Sequence, residues 1–545
     1  MSVADAERTI QAAQVALENG RKQEAFECLK AAIAADTDHP AALAAMGMFL
    51  SVHGDPGQAS QVLSRALAKA VDPGMRGKVA AALAERLSGL APNGWHPVLD
   101  ADLTVLLGEA AVDPQKLARV VARTLLLKTP DFDGSVEALE AIGRDPLWRG
   151  FLSRCLNLDA AMEARLNAVR AALVATDGTE GEGRAALLEA LAVNGFAAEY
   201  LDAGPEGLTG RLAWLFRTPG LDEEVSGELA RRAVEQPKRE GELAAGLECL
   251  TPSDDAVSVA VRDQYEASPY PRWVAPPAPE ARSLISCVKA LPGLDREAFA
   301  GRPERVLVAG CGTGFEPIDL ARTDPTLSIT AMDLSRASLA YGARVAGELG
   351  LDRVRFVQGD ILALDQIEDR FDVVTSTGVI HHMARPDEGL ARLAGVLRPG
   401  GVVRLGLYSE RGRKRVKLAH ALIRERGWRA TPEDIRAFRA HVLSLPDGAP
   451  LAALRESDDF YSLSGCRDLV FHVQEHCYTP PQLDDLLAVA GLRLIGFDAP
   501  PEAQSAFRSA FGRADPLDMD LWDRLETQNP TLFAGMYHLW AQRPA

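Results

Sequence analysis

Cysteine is scarce in this chain, and long apolar runs are absent. The 545 residues include seven cysteines, scattered without paired spacing. That pattern excludes a disulfide framework and is typical of a reducing compartment. No apolar run is long enough to cross a bilayer, and the polar residues 1–11 do not resemble a secretory signal. We therefore expect a cytoplasmic protein without a membrane partner.

An excess of positive charge is also missing. The 59 lysines and arginines are outnumbered by 76 aspartates and glutamates, which leaves a formal net charge of −17. Such a surface disfavours non-specific nucleic-acid binding, so we do not expect a nucleic-acid partner. The chain is too long for a single core, and its length predicts two or three domains.

A glycine loop is the most informative segment. The β-rich run 306–308 leads into glycines at positions 310, 312 and 314, and a helical pattern follows. Alternate glycines let the backbone turn sharply and approach a ligand closely. Asp333 closes the next apolar run, at a spacing that suits a carboxylate holding a ribose diol. These residues indicate a cofactor that contains a nucleoside.

The glycine spacing argues against a dinucleotide. A dinucleotide fingerprint reads G-x-G-x-x-G, whereas this loop reads G-x-G-x-G, with Phe315 in the place of the third glycine. Further strand-like runs alternate with helical patterns, which predicts a doubly wound parallel sheet with its ligand at the carboxyl ends of the strands. The runs span residues 328–333, 354–358, 371–376, 402–408, 492–497 and 532–542.

Five ordered motifs now carry a family resemblance. GCGTG, Asp333, Gly359-Asp360-Ile361, FDVV and LRPGG together resemble the class I S-adenosylmethionine-dependent methyltransferases, from about Arg262 to the C-terminus. The resemblance implies an α/β Rossmann-like core of seven strands with the last strand antiparallel. One position departs from the family: Val308-Ala309 stands where members often carry an acid. Backbone carbonyls or another side chain would then hold the methionine amino group.

The resemblance implies S-adenosylmethionine as the cofactor. The glycine loop would surround its methionine end, Asp333 would hold the ribose hydroxyls, and Asp360 would reach the adenine amino group. The cofactor-binding residues expected on this basis are Gly310, Cys311, Gly312, Gly314, Asp333, Leu334, Asp360, Ile361 and Thr377.

An aromatic segment, DQYEASPYPRW at 263–273, precedes the core. Prolines on both sides of Tyr270 favour an extended path that would lie across the cofactor mouth. Arg272 would pair with the methionine carboxylate, and a tyrosine such as Tyr270 would cover the sulfonium by cation–π attraction. The alternative is a hydrophobic strap at the domain edge.

Candidate catalytic residues follow the fourth and fifth core strands. His381 and His382 end one strand and Tyr408 ends the next, so they would face the cleft and orient a nucleophile or accept its proton. A base is not obligatory, because methyl transfer is helped mainly by positioning. The alternative is that one histidine caps a helix and the other packs.

Two further features lie in the insertion that follows Tyr408. Residues 472–476 read H-x-x-E-H, and on a helix His472 and His476 would share one face, as in some zinc peptidases. No third ligand is evident, so no metal is expected. A substrate-facing polar patch is favoured, and a solvated helix is the alternative. The basic run from Arg411 to Arg429 would receive an acidic peptide or a phosphate, or form a solvated helix.

The N-terminal segment repeats itself with a period of 34 residues, and a period of that length resembles the tetratricopeptide repeat. Such a repeat would present a concave surface for a partner's peptide; the alternatives are a spacer or a homodimer contact. The matching pairs are Gly20 and Gly54, Ala25 and Ala59, Leu29 and Leu63, Ala32 and Ala66, and Ile33 and Leu67.

Three domains are therefore expected: all-α repeats at 1–90, a helical connecting domain at 91–255, and the methyltransferase domain at 256–545 with a mostly helical insertion at 410–478. The function predicted is methylation of a protein or peptide acceptor recruited by the repeats. The alternatives are a small-molecule methyltransferase, or a repeat scaffold with an inactive cofactor fold.

Overall fold

A computed structural model of the 545-residue chain divides into two compact units, Met1–Glu224 and Val225–Ala545. The structure describes residues 3–176, 180–201, 204–205, 207–216, 225–253, 255–271, 273–276, 283–299, 301 and 304–545.

The secondary structure of the first unit consists of helices joined by loops in its described residues. Short 3-10 turns at Pro114–Leu117 and Gly210–Leu215 accompany the helices. The α-helices are α1 Val3–Glu18, α2 Lys22–Ala35, α3 Pro40–His53, α4 Pro56–Lys69, α5 Pro73–Ser88, α6 Pro97–Leu106, α7 Ala118–Lys128, α8 Val136–Arg144, α9 Pro146–Arg154, α10 Ala160–Ala175 and α11 Glu182–Ala197.

Proline and an N-cap acceptor define the starts of the repeat helices. Helices α4 and α5 each begin with proline, whose missing N–H costs nothing at the first helical position. Asp55 and Asp72 precede these prolines and accept the N–H of the residue three positions on, at 2.8 and 2.7 Å. This local chemistry explains why the helix boundaries follow from the sequence.

The 34-residue repeat corresponds to two helical hairpins, α1 with α2 and α3 with α4. Leu29 and Leu63, one period apart, are both fully buried. Gly47 lets α3 approach α4 closely, because a Cβ there would lie 2.6 Å from Leu63 Cδ2. Small residues at the helix crossings therefore produce the packing that the periodicity predicts.

The second unit is built on an eight-stranded sheet of order β1-β4-β3-β2-β5-β6-β8-β7. All neighbours are parallel except β8, which is antiparallel to both β6 and β7. The strands are β1 Glu248–Cys249, β2 Arg305–Ala309, β3 Ser328–Asp333, β4 Val354–Gln358, β5 Phe371–Thr377, β6 Leu397–Tyr408, β7 Arg493–Phe497 and β8 Met536–Gln542.

The predicted Rossmann-like core of seven strands with an antiparallel last strand is confirmed, and the structure adds one edge strand. In β1, Glu248 and Cys249 pair in parallel with Val357 and Gln358 of β4. The last strand begins at Met536, four residues later than the apolar pattern from Leu532 predicts. Residues 532–534 lie in turns before it.

Both faces of the sheet are buried. Leu307 and Val374 point into one core, whereas Val306, Val308 and Val373 point into the other. Helices cover the two faces, as the near-continuous apolar strands require. The α-helices of this unit are α12 Gly227–Ala230, α13 Gln236–Gly246, α14 Ala256–Ala267, α15 Leu284–Lys289, α16 Phe315–Thr323, α17 Arg336–Glu348, α18 Pro386–Val396, α19 Lys414–Arg426, α20 Pro432–Ser444, α21 Leu463–Val470, α22 Pro480–Val489, α23 Pro501–Phe511 and α24 Met519–Gln528.

The insertion between β6 and β7 contains α19, α20 and α21, together with 3-10 turns at Pro450–Glu456 and Asp458–Tyr461. Residues 225–255, predicted to belong to the connecting domain, fall in the second unit because β1 joins its sheet. The further boundary at residue 90 stays a prediction. Within the described ranges, no helix is both long and apolar enough to cross a membrane.

Leu63→Ala tests the packing of the repeats. The change empties a fully buried site and should lower the free energy of unfolding of α3 and α4 by about 2–5 kcal/mol. Val52→Ala is the control, because Val52 is 74% exposed on α3. Hydrogen exchange of the α3 and α4 amides measures the effect. Equal protection in the two variants would contradict the packing described.

Candidate functional site

The glycine loop joins β2 to α16 at the carboxyl edge of the sheet. Gly310, Gly312 and Gly314 all have positive φ angles, between 53° and 84°, which side chains other than glycine rarely adopt. A Cβ on Gly310 would lie 2.4 Å from Val379 Cγ2. The loop therefore depends on glycine for both its conformation and its close contacts.

The aromatic segment lies directly against this loop. A Cβ on Gly312 would be 2.5 Å from the carbonyl oxygen of Tyr270. Trp273 Nε1 donates a hydrogen bond of 2.9 Å to Thr313 Oγ1, and Thr313 Oγ1 donates to the carbonyl of Pro271. The segment therefore lies next to the glycine loop, but the predicted extended path begins only after Ala267, because residues 263–267 form the last turn of α14. Arg272 lies outside the described residues.

Asp333 ends β3 and faces the loop. Its carboxylate accepts the N–H of Gly312 at 2.8 Å and the N–H of Ser335 at 2.9 Å. Burial raises the pKa of the Asp333 carboxyl, and these two N–H groups oppose the rise. The two bonds fix the orientation of the carboxylate and leave it further lone pairs for a hydroxyl donor.

Asp360 follows β4 and is nearly fully buried. One carboxylate oxygen accepts the N–H of Leu362 at 2.9 Å and the other accepts Ser253 Oγ at 3.0 Å. Thr251 Oγ1 also binds the backbone of Asp360, at 2.8 Å from its nitrogen. Sequence reasoning missed Thr251 and Ser253, which lie more than 100 residues away and carry no motif.

These elements enclose a cavity of about 310 Å³. Of the predicted site residues, Gly314 and His381 do not line it. Gly314 instead faces Gly342 and Phe356, with which a Cβ would make contacts of 3.0 Å. The predicted residues that do line the cavity are Gly310, Cys311, Gly312, Asp333, Leu334, Asp360, Ile361, Thr377, Tyr270, His382 and Tyr408.

Other parts of the lining were not expected from the sequence. Helix α14 contributes four residues to it, and the insertion contributes Asp468. No sequence motif marks these positions, since only the packing of α14 and α21 brings them to the sheet edge. The additional lining residues are Val257, Ser258, Val261, Tyr265, Pro271, Phe315, Glu316, Gly359, Gly378, Val379, Met383, Asp468 and Met536.

The two histidine groups of the sequence meet at one end of the cavity. The rings of His382 and His472 stack with centroids 3.5 Å apart and 24° between their planes. His381 lies 4.0 Å from the ring of Tyr408. Burial lowers the pKa of His381 and of His382 well below the usual value, so both imidazoles are neutral near pH 7.

The helical placement of H-x-x-E-H is wrong. Helix α21 ends at Val470, and residues 472–476 are not helical. The N–H of His476 donates to the carbonyl of His381 at 2.8 Å, and the N–H of Tyr478 donates to Tyr408 at 2.9 Å. These bonds with distant residues replace helical ones, so His472 and His476 share no helix face.

Two buried acids lie beside the histidines. Tyr270 donates its hydroxyl to Asp459 at 2.8 Å, and Tyr265 donates to Asp468 at 2.5 Å. Burial and repulsion from Asp468 raise the pKa of Asp459 to about 7. Burial also raises the pKa of Asp468. The tyrosine rings are stacked at 6.4 Å, so the aromatic segment contacts the insertion as well as the glycine loop.

The first two arginines of the basic run, Arg411 and Arg413, form ion pairs with acidic residues of the same domain. Arg411 forms ion pairs with Asp523 at 2.9 Å and with Glu526 at 3.1 Å. Arg413 is buried against Glu475 and lies 3.8 Å above the ring of Tyr408. These two arginines are therefore occupied by contacts within the protein, and Arg413 packs directly against the cavity residue Tyr408. The use of the later basic residues to bind an acidic ligand stays a prediction.

The fold and the loop define a domain that binds a nucleoside cofactor at the carboxyl edge of its sheet. Residues 306–401 match the family model described as methyltransferase domain, and residues 16–85 match the tetratricopeptide repeat. The chain thus contains an S-adenosylmethionine-dependent methyltransferase domain preceded by tetratricopeptide repeats. The family and cofactor expected from the sequence are confirmed.

Individual proteins also resemble the chain. The uncharacterized protein syc1184_c of Synechococcus sp. is 32% identical over 266 residues, 45% of this chain and 60% of the relative. Trans-aconitate 2-methyltransferase of Deinococcus radiodurans is 33% identical over 129 residues, 23% of this chain and 46% of the relative. The chain spans about half the length of these curated relatives.

Among solved structures, PKMT2 from Rickettsia typhi in complex with AdoHcy is similar with a TM-score of 0.33. Its sequence is 17% identical, and the match covers 44% of this chain and 48% of that one.

Gly312→Ala tests the contact between the loop and the aromatic segment. The added methyl would lie 2.5 Å from the Tyr270 carbonyl, so the segment must move away from the cavity. We expect affinity for S-adenosylmethionine to fall by about tenfold or more, which corresponds to about 1.4 kcal/mol. Gly395→Ala is the control, because nothing lies within 4 Å of its Cβ. Equal affinities in titration calorimetry would argue against this contact.

Proposed function

We propose that the protein transfers a methyl group from S-adenosylmethionine to an acceptor bound in the 310 Å³ cavity. The observation that carries this proposal is the meeting of the glycine loop, Asp333 and Asp360 on one side of the same cavity as His382 and Tyr408. The first group would hold the cofactor. The second would face the acceptor.

The cofactor would lie along the ends of β2, β3 and β4. Its methionine end would contact Gly310 and Gly312, its ribose hydroxyls would donate to Asp333, and its adenine amino group would donate to Asp360. Asp333 supports this arrangement because two backbone N–H groups already orient its carboxylate. Tyr270, which lines the cavity, would cover the sulfonium.

Glu316 would replace the acid that β2 lacks. Val308 and Ala309 are buried and apolar, so neither side chain can bind the methionine amino group. Glu316 lies in the first turn of α16 and lines the cavity. Among the described residues it pairs with Arg404, with nitrogen and oxygen as far as 3.9 Å apart, which leaves its carboxylate available to an ammonium group.

Catalysis would rest on positioning and on exclusion of water. Methyl transfer is an in-line displacement, in which the acceptor atom attacks the methyl carbon as the sulfonium leaves as a thioether. The buried rings of His382 and Tyr408 would orient the acceptor, and the neutral imidazole of His382 would receive its proton. His381 would act as a positioning residue, since it lies against Tyr408 and not in the cavity lining.

A protein or peptide acceptor is the preferred substrate class, because tetratricopeptide repeats at residues 16–85 are a fold used for peptide recognition. A small-molecule acceptor is the second candidate, and the name of the trans-aconitate relative favours it. A scaffold with an inactive cofactor fold is the third. Homodimer formation and the cytoplasmic location stay predictions.

Asp333→Ala tests cofactor binding. Loss of the carboxylate removes the ribose contact and frees two N–H groups. We expect affinity for S-adenosylmethionine and S-adenosylhomocysteine to fall by about 100-fold, or about 2.7 kcal/mol. Asp352→Ala is the control, because Asp352 is an exposed residue outside the lining. Unchanged affinity in Asp333→Ala, measured by calorimetry, would overturn the cofactor placement.

A labelled methyl donor tests the acceptor class. The full-length protein is incubated with cell lysate and S-adenosylmethionine that carries a labelled methyl group, and products are separated by size. We expect label in the protein fraction, and none with Asp333→Ala as the matched inactive control. Label found only in small molecules would overturn the proposed peptide acceptor and favour a small-molecule acceptor. No transfer to either fraction, despite cofactor binding, would favour the scaffold.

A further inference from the structure

Three buried side chains from separate segments converge at the end of the cavity that holds Tyr408. His382 lies in the 3-10 turn after β5, Asp468 lies in α21, and His472 follows that helix. Each offers a nitrogen or oxygen atom, and these three atoms all lie within 4.8 Å of one another. All three residues are buried.

A backbone carbonyl, that of Gln474, fixes the orientation of both imidazole rings. Nδ1 of His382 lies 2.7 Å from the carbonyl oxygen of Gln474, and Nδ1 of His472 lies 2.9 Å from the same oxygen. A carbonyl only accepts hydrogen bonds, so Nδ1 of His382 carries the proton and its Nε2 keeps a lone pair. Nδ1 of His472 also lies 3.3 Å from the backbone N–H of Gln474, but its shorter contact with the carbonyl favours the same tautomer. This is how metal-binding histidines are commonly oriented.

One of these lone pairs lacks a partner. Nε2 of His472 is buried and has no hydrogen-bond partner in the part of the chain that the structure describes. A buried acceptor without a partner costs free energy, which a bound cation would offset. The two ring planes are stacked with only 24° between them. Because each Nε2 lone pair lies in the plane of its ring, a shared ion requires the rings to tilt apart.

The carboxylate of Asp468 completes the donor set. One oxygen accepts the hydroxyl of Tyr265 at 2.5 Å, and the carboxylate forms no salt bridge with the described residues. Asp459, close by, is likewise bound to a tyrosine hydroxyl and to no described cation. The nearby Arg413 is paired with Glu475. The region therefore contains two buried carboxyl groups that are bound by tyrosine hydroxyls, and its nearby arginine is already paired with another acid.

We propose that His382, Asp468 and His472 bind a divalent transition-metal ion. Two imidazoles and one carboxylate form a donor set that suits Zn²⁺ and its neighbours, with a fourth position open for an exogenous ligand. This site could not be predicted from the sequence. Only His472 belongs to the H-x-x-E-H motif, whereas His382 and Asp468 lie outside it. His476, the second histidine of the motif, contacts the Gln474 side chain at 2.9 Å instead.

The ion would have a role in the proposed methyl transfer. His382 and Asp468 line the cavity, so the open position would face the acceptor. A metal-bound thiol, hydroxyl or water loses its proton more readily. This role rests on the proposed function, whereas metal binding itself does not.

Cobalt and zinc titrations test the site. Full-length protein without an affinity tag is stripped with a chelator, then titrated with Co²⁺ followed by visible absorption and with Zn²⁺ followed by calorimetry. We expect one ion per chain, with d–d bands typical of imidazole and carboxylate ligands. His472→Ala and Asp468→Asn should each weaken binding by about 100-fold or more.

The controls separate metal binding from folding and from cofactor binding. His441→Ala removes a histidine from α20, outside the cluster, and should bind Co²⁺ as the unmodified protein does. Asp333→Ala should also keep Co²⁺ affinity, whatever it does to S-adenosylmethionine binding. Affinity of His472→Ala for S-adenosylhomocysteine shows that this variant is folded. Absence of stoichiometric binding, or equal Co²⁺ affinity in folded His472→Ala, would overturn the proposal.

Discussion

The site depends on one close approach, between the glycine loop and the two segments that contact it. Gly312 donates its N–H to Asp333 at 2.8 Å, and it has no Cβ to keep the Tyr270 carbonyl away. One residue therefore joins the ends of β2 and β3 to the aromatic segment. Because parallel strands end at the same edge, this contact decides where a cavity can form. Helix α14 and the insertion form the other walls of the cavity.

Those walls include a cluster of buried polar side chains. Tyr265 and Tyr270 each donate to a buried aspartate, while His382 and His472 stack on one another. Buried polar groups are costly unless they have partners, and networks of them tend to specify one arrangement. Here they connect the aromatic segment with the insertion. The proposed cation would complete this network, and the proposed acceptor would be enclosed by it.

Sequence reasoning succeeded where local chemistry or strand order decides the outcome. Glycines at 310 and 312 require positive φ, and Asp333 and Asp360 follow strands whose apolar runs are plain, so their arrival at one edge could be predicted. It failed at His472 and His476, where the H-x-x-E-H spacing suggests a helix. Contacts with His381 and Tyr408, about 90 and 70 residues earlier in the chain, hold that segment in another conformation.

The sequence by itself determined the helical repeats, the alternation of strands and helices and the glycine loop, because periodicity and short-range spacing encode them. The arrangement of the core strands and the cofactor class followed from the family resemblance that the motifs carry. Only the tertiary structure decided that Thr251 and Ser253 bind Asp360, that α14 lines the cavity, and that His382, Asp468 and His472 meet. These contacts join segments from about 90 to more than 100 residues apart, or span the end of α21. Packing of whole elements sets such contacts, and no local pattern records them.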